Sequence, residues 1–191
     1  MNKKNDRLLL AANAFSRRNY RVAAQLLREE LDVSEKKADI LWWLAKAEFA
    51  ISIIAPTAND ESGHEAIMHI KQAIAIKSDD ARYYYCLGDM YTHVAPPDYI
   101  NAAVAFRKAL KFTPSFYPAL SALASLYGVP ENVVSLPEAI VFCKKALSIN
   151  PTRSLWLTLA RLYEYAGEDY HAYEARLNSK FEWHDTAVMK Y

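Results

Sequence analysis

Apolar and small residues recur along the chain in one fixed order. A large residue is followed three positions later by Leu, then at once by a small residue, and three positions further on by Tyr or a substitute. The order runs Leu41, Leu44, Ala45, Glu48, then Tyr84, Leu87, Gly88, Tyr91. It returns as Leu120, Leu123, Ala124, Tyr127 and as Trp156, Leu159, Ala160, Tyr163. A weaker copy is Arg7, Leu10, Ala11, Ala14, and the five Leu-small pairs stand 34, 43, 36 and 36 residues apart. A second pattern follows the first: Ala23, Leu27, Glu30; Ala66, Ile70, Ala73; Ala102, Phe106, Ala109; Ala139, Cys143, Ala146. Spacings of three, four and seven put residues on one helix face, so each copy predicts two helices with facing apolar stripes. Small residues such as Gly88, Ala45, Ala124 and Ala160 let the two helices approach closely. Pro114 and Pro151 end the second helix of their copies, because Pro cannot continue the hydrogen-bond ladder.

The third copy, from Tyr84 through Leu87, Gly88, Tyr91, Ala102, Phe106 and Ala109 to Pro114, resembles the tetratricopeptide repeat (TPR) at nearly every motif position. The resemblance covers roughly residues 5–176. It implies an all-α solenoid of about five helix pairs winding into a right-handed superhelix, because such pairs cannot bury their faces alone and must stack. The expected organisation is a single solenoid over 1–181, with repeats near 4–37, 38–80, 81–116, 117–152 and 153–181, followed by a tail at 182–191.

Three intra-repeat turns are longer than the pattern requires. They run from Ile54 to Gly63, through Ala95-Pro96-Pro97-Asp98, and from Gly128 to Val134. After the last, Ser135-Leu136-Pro137-Glu138 predicts a capped helix start, with Pro in the first turn and Glu three residues after the cap. Insertions on one edge of a repeat array mark a contact surface or are tolerated surface loops, and both readings stand. The last copy turns at Gly167-Glu168-Asp169-Tyr170, and its second helix reads as a polar cap. The tail Phe181-Glu182-Trp183-His184 is aromatic and is read as folding back or docking on a partner.

Composition narrows the function. At 52% hydrophobic and 24% charged, the chain can bury a core. Its net charge of +1 removes the main argument for nucleic-acid binding. Residues 1–37 nevertheless carry nine Lys/Arg against five Asp/Glu, leaving +4 at this end. No apolar run reaches the ~20 residues of a membrane span. Leu8 to Ala12 is too short for a signal peptide and is followed by Asn13 and Arg17-Arg18. A cytoplasmic location is therefore expected. Cys86 and Cys143 lack a CxxC partner and a flanking base, so structural thiols are expected. His64 and His69 are five residues apart, whereas zinc on one helix face needs four; both are read as surface residues. No cofactor, metal or catalytic residue is assigned, and the chain is read as a non-enzyme. Asp79-Asp80 lies at a repeat junction, where Asp caps the next helix.

In TPR arrays the first helix of each pair lines the concave face. The resemblance thus directs Leu8, Ala12, Phe15, Trp42, Trp43, Lys46, Phe49, Arg82, Tyr85, Asp89, Arg161 and their neighbours into a groove. Of these, Trp42, Trp43, Lys46, Phe49, Arg82, Tyr85, Asp89 and Arg161 are the candidate partner-binding residues. One TPR subclass clamps acidic chaperone C-termini with Lys, Asn and Arg. Its positions fall on Leu8, Ala12, Trp43, Arg82 and Cys86, of which Arg82 alone fits, so a chaperone-tail adaptor is not expected. The groove suits an apolar or aromatic peptide or helix of a protein partner. Adjacent indoles at Trp42 and Trp43 point ~100° apart, so one is expected in the core and the other partly exposed or serving as a binding anchor. Two functions follow: a protein-binding adaptor or assembly factor, or a permanent structural subunit that self-associates through the lengthened turn edge or the tail.

Overall fold

The computed structural model describes residues 3–55 and 61–180, with side chains from Arg7 onward. Among these residues there are ten α-helices and no strand. The chain divides into two compact units, Met1–Asp98 and Tyr99–Tyr191. The lengthened-turn residues 56–60 and the aromatic tail from Phe181 lie outside the described residues.

The first unit holds α1 (Lys3–Ser16), α2 (Tyr20–Leu31), α3 (Lys37–Ile54), α4 (Glu61–Ile76) and α5 (Ala81–His93). Each helix packs on the next, and α3 also touches α5. Two clusters form the core. Ala11, Ala23, Ala24, Leu27, Ile40, Leu44 and Ala47 join α1, α2 and α3. Ala38, Leu41, Trp42, Ala45, Ala66, Ile70, Ala73, Tyr83, Cys86 and Met90 join α3, α4 and α5. Helix α3 serves both clusters, which is why its sequence is apolar nearly all the way round. In this unit the Leu of a Leu-small pair packs toward the preceding helix pair, as Leu44 does against Ala23 and Leu27 and Leu87 against the α3–α4 cluster. Leu10 is 54% exposed for the same reason, since no helix precedes α1 among the described residues.

The second unit holds α6 (Tyr99–Phe112), α7 (Tyr117–Ser125), α8 (Leu136–Ile149), α9 (Arg153–Tyr165) and α10 (Asp169–Asn178). Its buried side chains are those of the recurring pattern: Ala102, Phe106, Ala109, Leu120, Leu123, Ala124, Ala139, Cys143, Ala146, Leu159, Ala160 and Tyr163. Helices α6 and α8 stop two residues before Pro114 and Pro151, as the pattern predicts. The Glu138 carboxylate accepts from the Ser135 backbone N–H at 3.0 Å and from its hydroxyl at 2.9 Å, fixing the start of α8. These bonds hold the Glu138 carboxyl below its usual range.

Local departures have local causes. Helix α4 begins at Glu61, so Ser62 and Gly63 belong to its first turn rather than to the long turn before it. An acidic residue at a helix start is favoured by the dipole. Helix α7 ends at Ser125, leaving Tyr127 outside the helix. Leu126 N–H is shared by the Ala122 and Leu123 carbonyls, and Gly128 turns at φ +87, which closes the helix early. Helix α10 exposes Asp169, His171, Glu174 and Arg176 together with three large apolar or aromatic side chains. Ala172 and Ala175 face inward, while Tyr170, Tyr173 and Leu177 stand exposed on the outer side.

Candidate functional site

The first unit carries an open pocket of ≈ 370 Å³ lined by Leu8, Ala11, Ala12, Phe15, Leu27, Lys36, Asp39, Ile40, Trp42, Trp43 and Arg82. Its walls come from α1, α3 and the start of α5, which are first helices of their pairs, with Leu27 of α2 behind them.

Helical spacing explains the aromatic wall. Trp42 turns into the second core cluster and is 6% exposed, with its ring 6.1 Å from Tyr83. Trp43, one residue on, turns toward α1 and is 37% exposed. There it meets Phe15 edge to face, with centroids 5.2 Å apart. Lys46 lies four residues after Trp42 and three after Trp43, so its stem runs back over both. The ammonium sits 4.7 Å from each indole centroid and 5.6 Å from that of Phe15. Burial lowers the Lys46 pKa, because the charged form is deprived of water.

Arg82 is held in place by carboxylates of its own chain. Its Nε donates to Asp80 Oδ1 at 2.9 Å, and a terminal nitrogen donates to Asp80 Oδ2 at 2.6 Å. The same nitrogen stands 3.8 Å from Asp39, which also accepts from the Tyr83 hydroxyl at 2.8 Å. The guanidinium lies 4.8 Å from the Trp42 centroid, a cation–π contact. Asp80 caps α5 by accepting from Arg82 N–H at 3.0 Å, and its carboxyl is lowered to about 2, chiefly by the Arg82 side-chain hydrogen bond.

Four of the eight sequence-predicted site residues therefore meet: Trp42, Trp43, Lys46 and Arg82. Phe49 is half-buried against the second core cluster, 6.0 Å from the His93 ring. Asp89 is engaged by His93 Nδ1 at 3.3 Å, and this hydrogen bond raises the His93 pKa to about 9. Tyr85 is half-buried on α5, and Arg161 is exposed in the second unit. Lys36 and Asp39 line the pocket although the sequence pattern did not single them out; they stand at and just before the start of α3, one turn ahead of the tryptophans. Phe15 was legible as a groove residue, but its contact with Trp43 depends on how α1 packs.

The histidines and cysteines resolve differently. His69 is not a surface residue: its Nδ1 lies 2.6 Å from Glu48, a 1% exposed carboxylate. His64 is exposed. Among the described residues no group of three or more His, Cys, Asp or Glu could hold a metal ion. Both cysteines are buried free thiols, each pushed up to about 12 by desolvation. No helix among the described residues is long and apolar enough to cross a membrane.

No protein-family model matches the chain, and no curated protein is detectably similar in sequence. Solved structures do match. A crystal structure of MamA superposes with a TM-score of 0.70 at 18% identity, covering 88% of this chain and 91% of that one. A thermophilic TPR protein from Thermus thermophilus gives a TM-score of 0.66 at 18% identity, with 92% and 89% covered. The MamA RS-1 double mutant gives 0.73 at 13% identity, with 94% and 93% covered. The class is thus that of all-α helical-repeat solenoids. More narrowly, the fold is of the tetratricopeptide type.

Proposed function

We propose that the chain is a protein-interaction module rather than an enzyme, and that the pocket between α1 and α3 receives a peptide or helix of a partner protein. The observation that carries this reading is Trp43. A large indole lines an open pocket and stands 37% exposed, beside a neighbour, Trp42, that already fills the core position. Trp is enriched among the few residues that carry most binding energy, which sit in pockets covered when a partner binds. The test is affinity for peptides selected on the immobilised chain. Trp43→Ala should weaken binding by about 2 kcal/mol or more with a near-normal melting temperature. Unchanged affinity would move the binding surface elsewhere, with the lengthened turn edge the next candidate.

A second reading, permanent assembly into a larger complex, is favoured by a different observation. Tyr170, Tyr173 and Leu177 are spaced three and four apart on one face of α10 and are all exposed. A constitutive subunit of this kind should oligomerise at micromolar concentration in size-exclusion chromatography. Elution as a monomer throughout would remove it.

A further inference from the structure

Resting on the binding reading above, we infer that the partner segment carries an acidic side chain, Asp or Glu, next to a large apolar residue, and that Lys46, which rests on the pocket's aromatic wall, is its ion-pair partner. Glu29, Glu30, Glu48, Glu65, Asp39, Asp80 and Asp89 in this unit each have a cationic partner in or near contact. Lys46 has none: among the described residues no carboxylate lies within 4.0 Å of its ammonium, which rests on Phe15, Trp42 and Trp43, with the Cys86 thiol and the like-charged Arg82 near enough to act on it.

The pocket cannot correct this by itself. Its one lining carboxylate, Asp39, is already committed to the Tyr83 hydroxyl and to Arg82. Arg82 is in turn held by Asp80. Lys36, which does line the pocket, likewise has no carboxylate within 4.0 Å among the described residues. The surrounding segment of residues 1–37 adds to the positive field with its +4 balance.

A half-buried ammonium without a counter-ion is a cost to the free protein, because cation–π contacts replace only part of its lost hydration. An incoming carboxylate would recover that loss, and in a partly desolvated site such a charge-assisted hydrogen bond is stronger than one made in open water. The aromatic wall specifies the rest of the ligand. Phe15 and Trp43 offer apolar surface directly beside the ammonium, so an apolar residue adjacent to the acid, or one helical turn from it, is covered at the same time. A chain-terminal carboxylate is the poorer fit. Holding one takes several converging donors, and of the clamp positions Leu8, Ala12, Trp43, Arg82 and Cys86 only Arg82 is a strong donor, already held by Asp80.

The test uses 16-residue peptides selected from a random displayed library on the full chain, carrying amidated C-termini when synthesised. The selected set should be enriched in an acidic residue beside Phe, Leu or Trp. Lys46→Met should weaken binding of such a peptide about 10- to 100-fold while Lys46→Arg retains it. Lys46→Glu should lose the acidic peptide and gain its Glu-to-Lys counterpart. Loss with Trp43→Ala but not with Lys46→Met would overturn this inference and leave the groove reading standing. Indifference to both changes, or failure to select any peptide, would overturn both. A melting temperature for Lys46→Met at or above that of the wild type excludes unfolding as the cause, and a lowered one makes the charge swap with Lys46→Glu the deciding measurement.

Discussion

His69 Nδ1 lies 2.6 Å from Glu48 Oε2, inside a unit where Glu48 occupies the motif position that the other full copies give to Tyr91, Tyr127 and Tyr163. Glu48 is 1% exposed and also accepts from Arg28 at 2.8 Å. Arg28 continues to Glu65 at 3.2 Å, so one buried carboxylate ties α2, α3 and α4 together. Glu30, the substitute for Ala in the first copy, is buried in the same way and is met by Arg7 at 3.3 Å. Both breaks in the apolar pattern are thus charges supplied with partners from another helix.

Removing the buried partner should matter more than removing the exposed one. Glu48→Ala is expected to cost about 3 kcal/mol, since it empties a packed position and strands His69 and Arg28. Arg28→Ala should cost less, because its side chain is half in water and His69 still faces Glu48. A double-mutant cycle by urea unfolding should give a coupling of roughly 1–2 kcal/mol. Strict additivity would show that the pair contributes nothing.

The two indoles separate stability from surface. Trp42→Ala should lower stability by about 3–5 kcal/mol, because it opens a cavity between α3, α4 and α5. Trp43→Ala should cost far less, since over a third of its surface is already in water. Equal melting temperatures for the two variants would show that the assignment of inside and outside is wrong.

Asp80 links stability to acid. Its carboxyl falls from 3.8 to about 2 in the folded chain. A folded pKa below the unfolded one means that its contribution is full above about pH 4. That contribution is lost as pH falls toward 2. The span corresponds to roughly 2 kcal/mol, to be discounted because Arg82 is partly exposed. Asp80→Asn should flatten the acid limb of the stability profile between pH 4 and 2 while keeping much of the α5 cap. An unaltered acid limb would place the titrating group elsewhere.

Arg18 holds a left-handed backbone, φ 59, between α1 and α2. Gly167 holds the equivalent turn between α9 and α10 at φ 72, and in both the next residue's N–H bonds five residues back, Asn19 to Ala14 at 2.8 Å and Glu168 to Tyr163 at 2.9 Å. A side chain in this region costs roughly 1 kcal/mol, so Arg18→Gly should stabilise the chain by up to ~1 kcal/mol. A clear fall in melting temperature would mean that the Arg18 side chain contributes more than its backbone costs.

The sequence alone determined the helices and their class. The Leu-small pairs, the Ala stripes, Pro114, Pro151 and the Ser135 cap are local signals, and each acts within a helical turn or at a helix end. The groove was legible only as a set of faces. Trp42 and Trp43 were distinguishable as one inward and one outward residue, because ~100° of rotation separates neighbours on any helix. Which was which depended on where α4 and α5 pack. Tertiary structure alone decided that Glu48 meets His69, that Tyr83 rather than Leu87 is fully buried on α5, and that Arg82 is already occupied by Asp80. It also placed Lys46 over three rings with no carboxylate within 4.0 Å among the described residues. Two of those rings follow from spacing along α3; the third, Phe15, comes from α1. The reason is physical. Helix formation is governed by neighbours in sequence, whereas the pairing of charges and the exposure of a ring depend on distances between segments that a one-dimensional pattern does not contain.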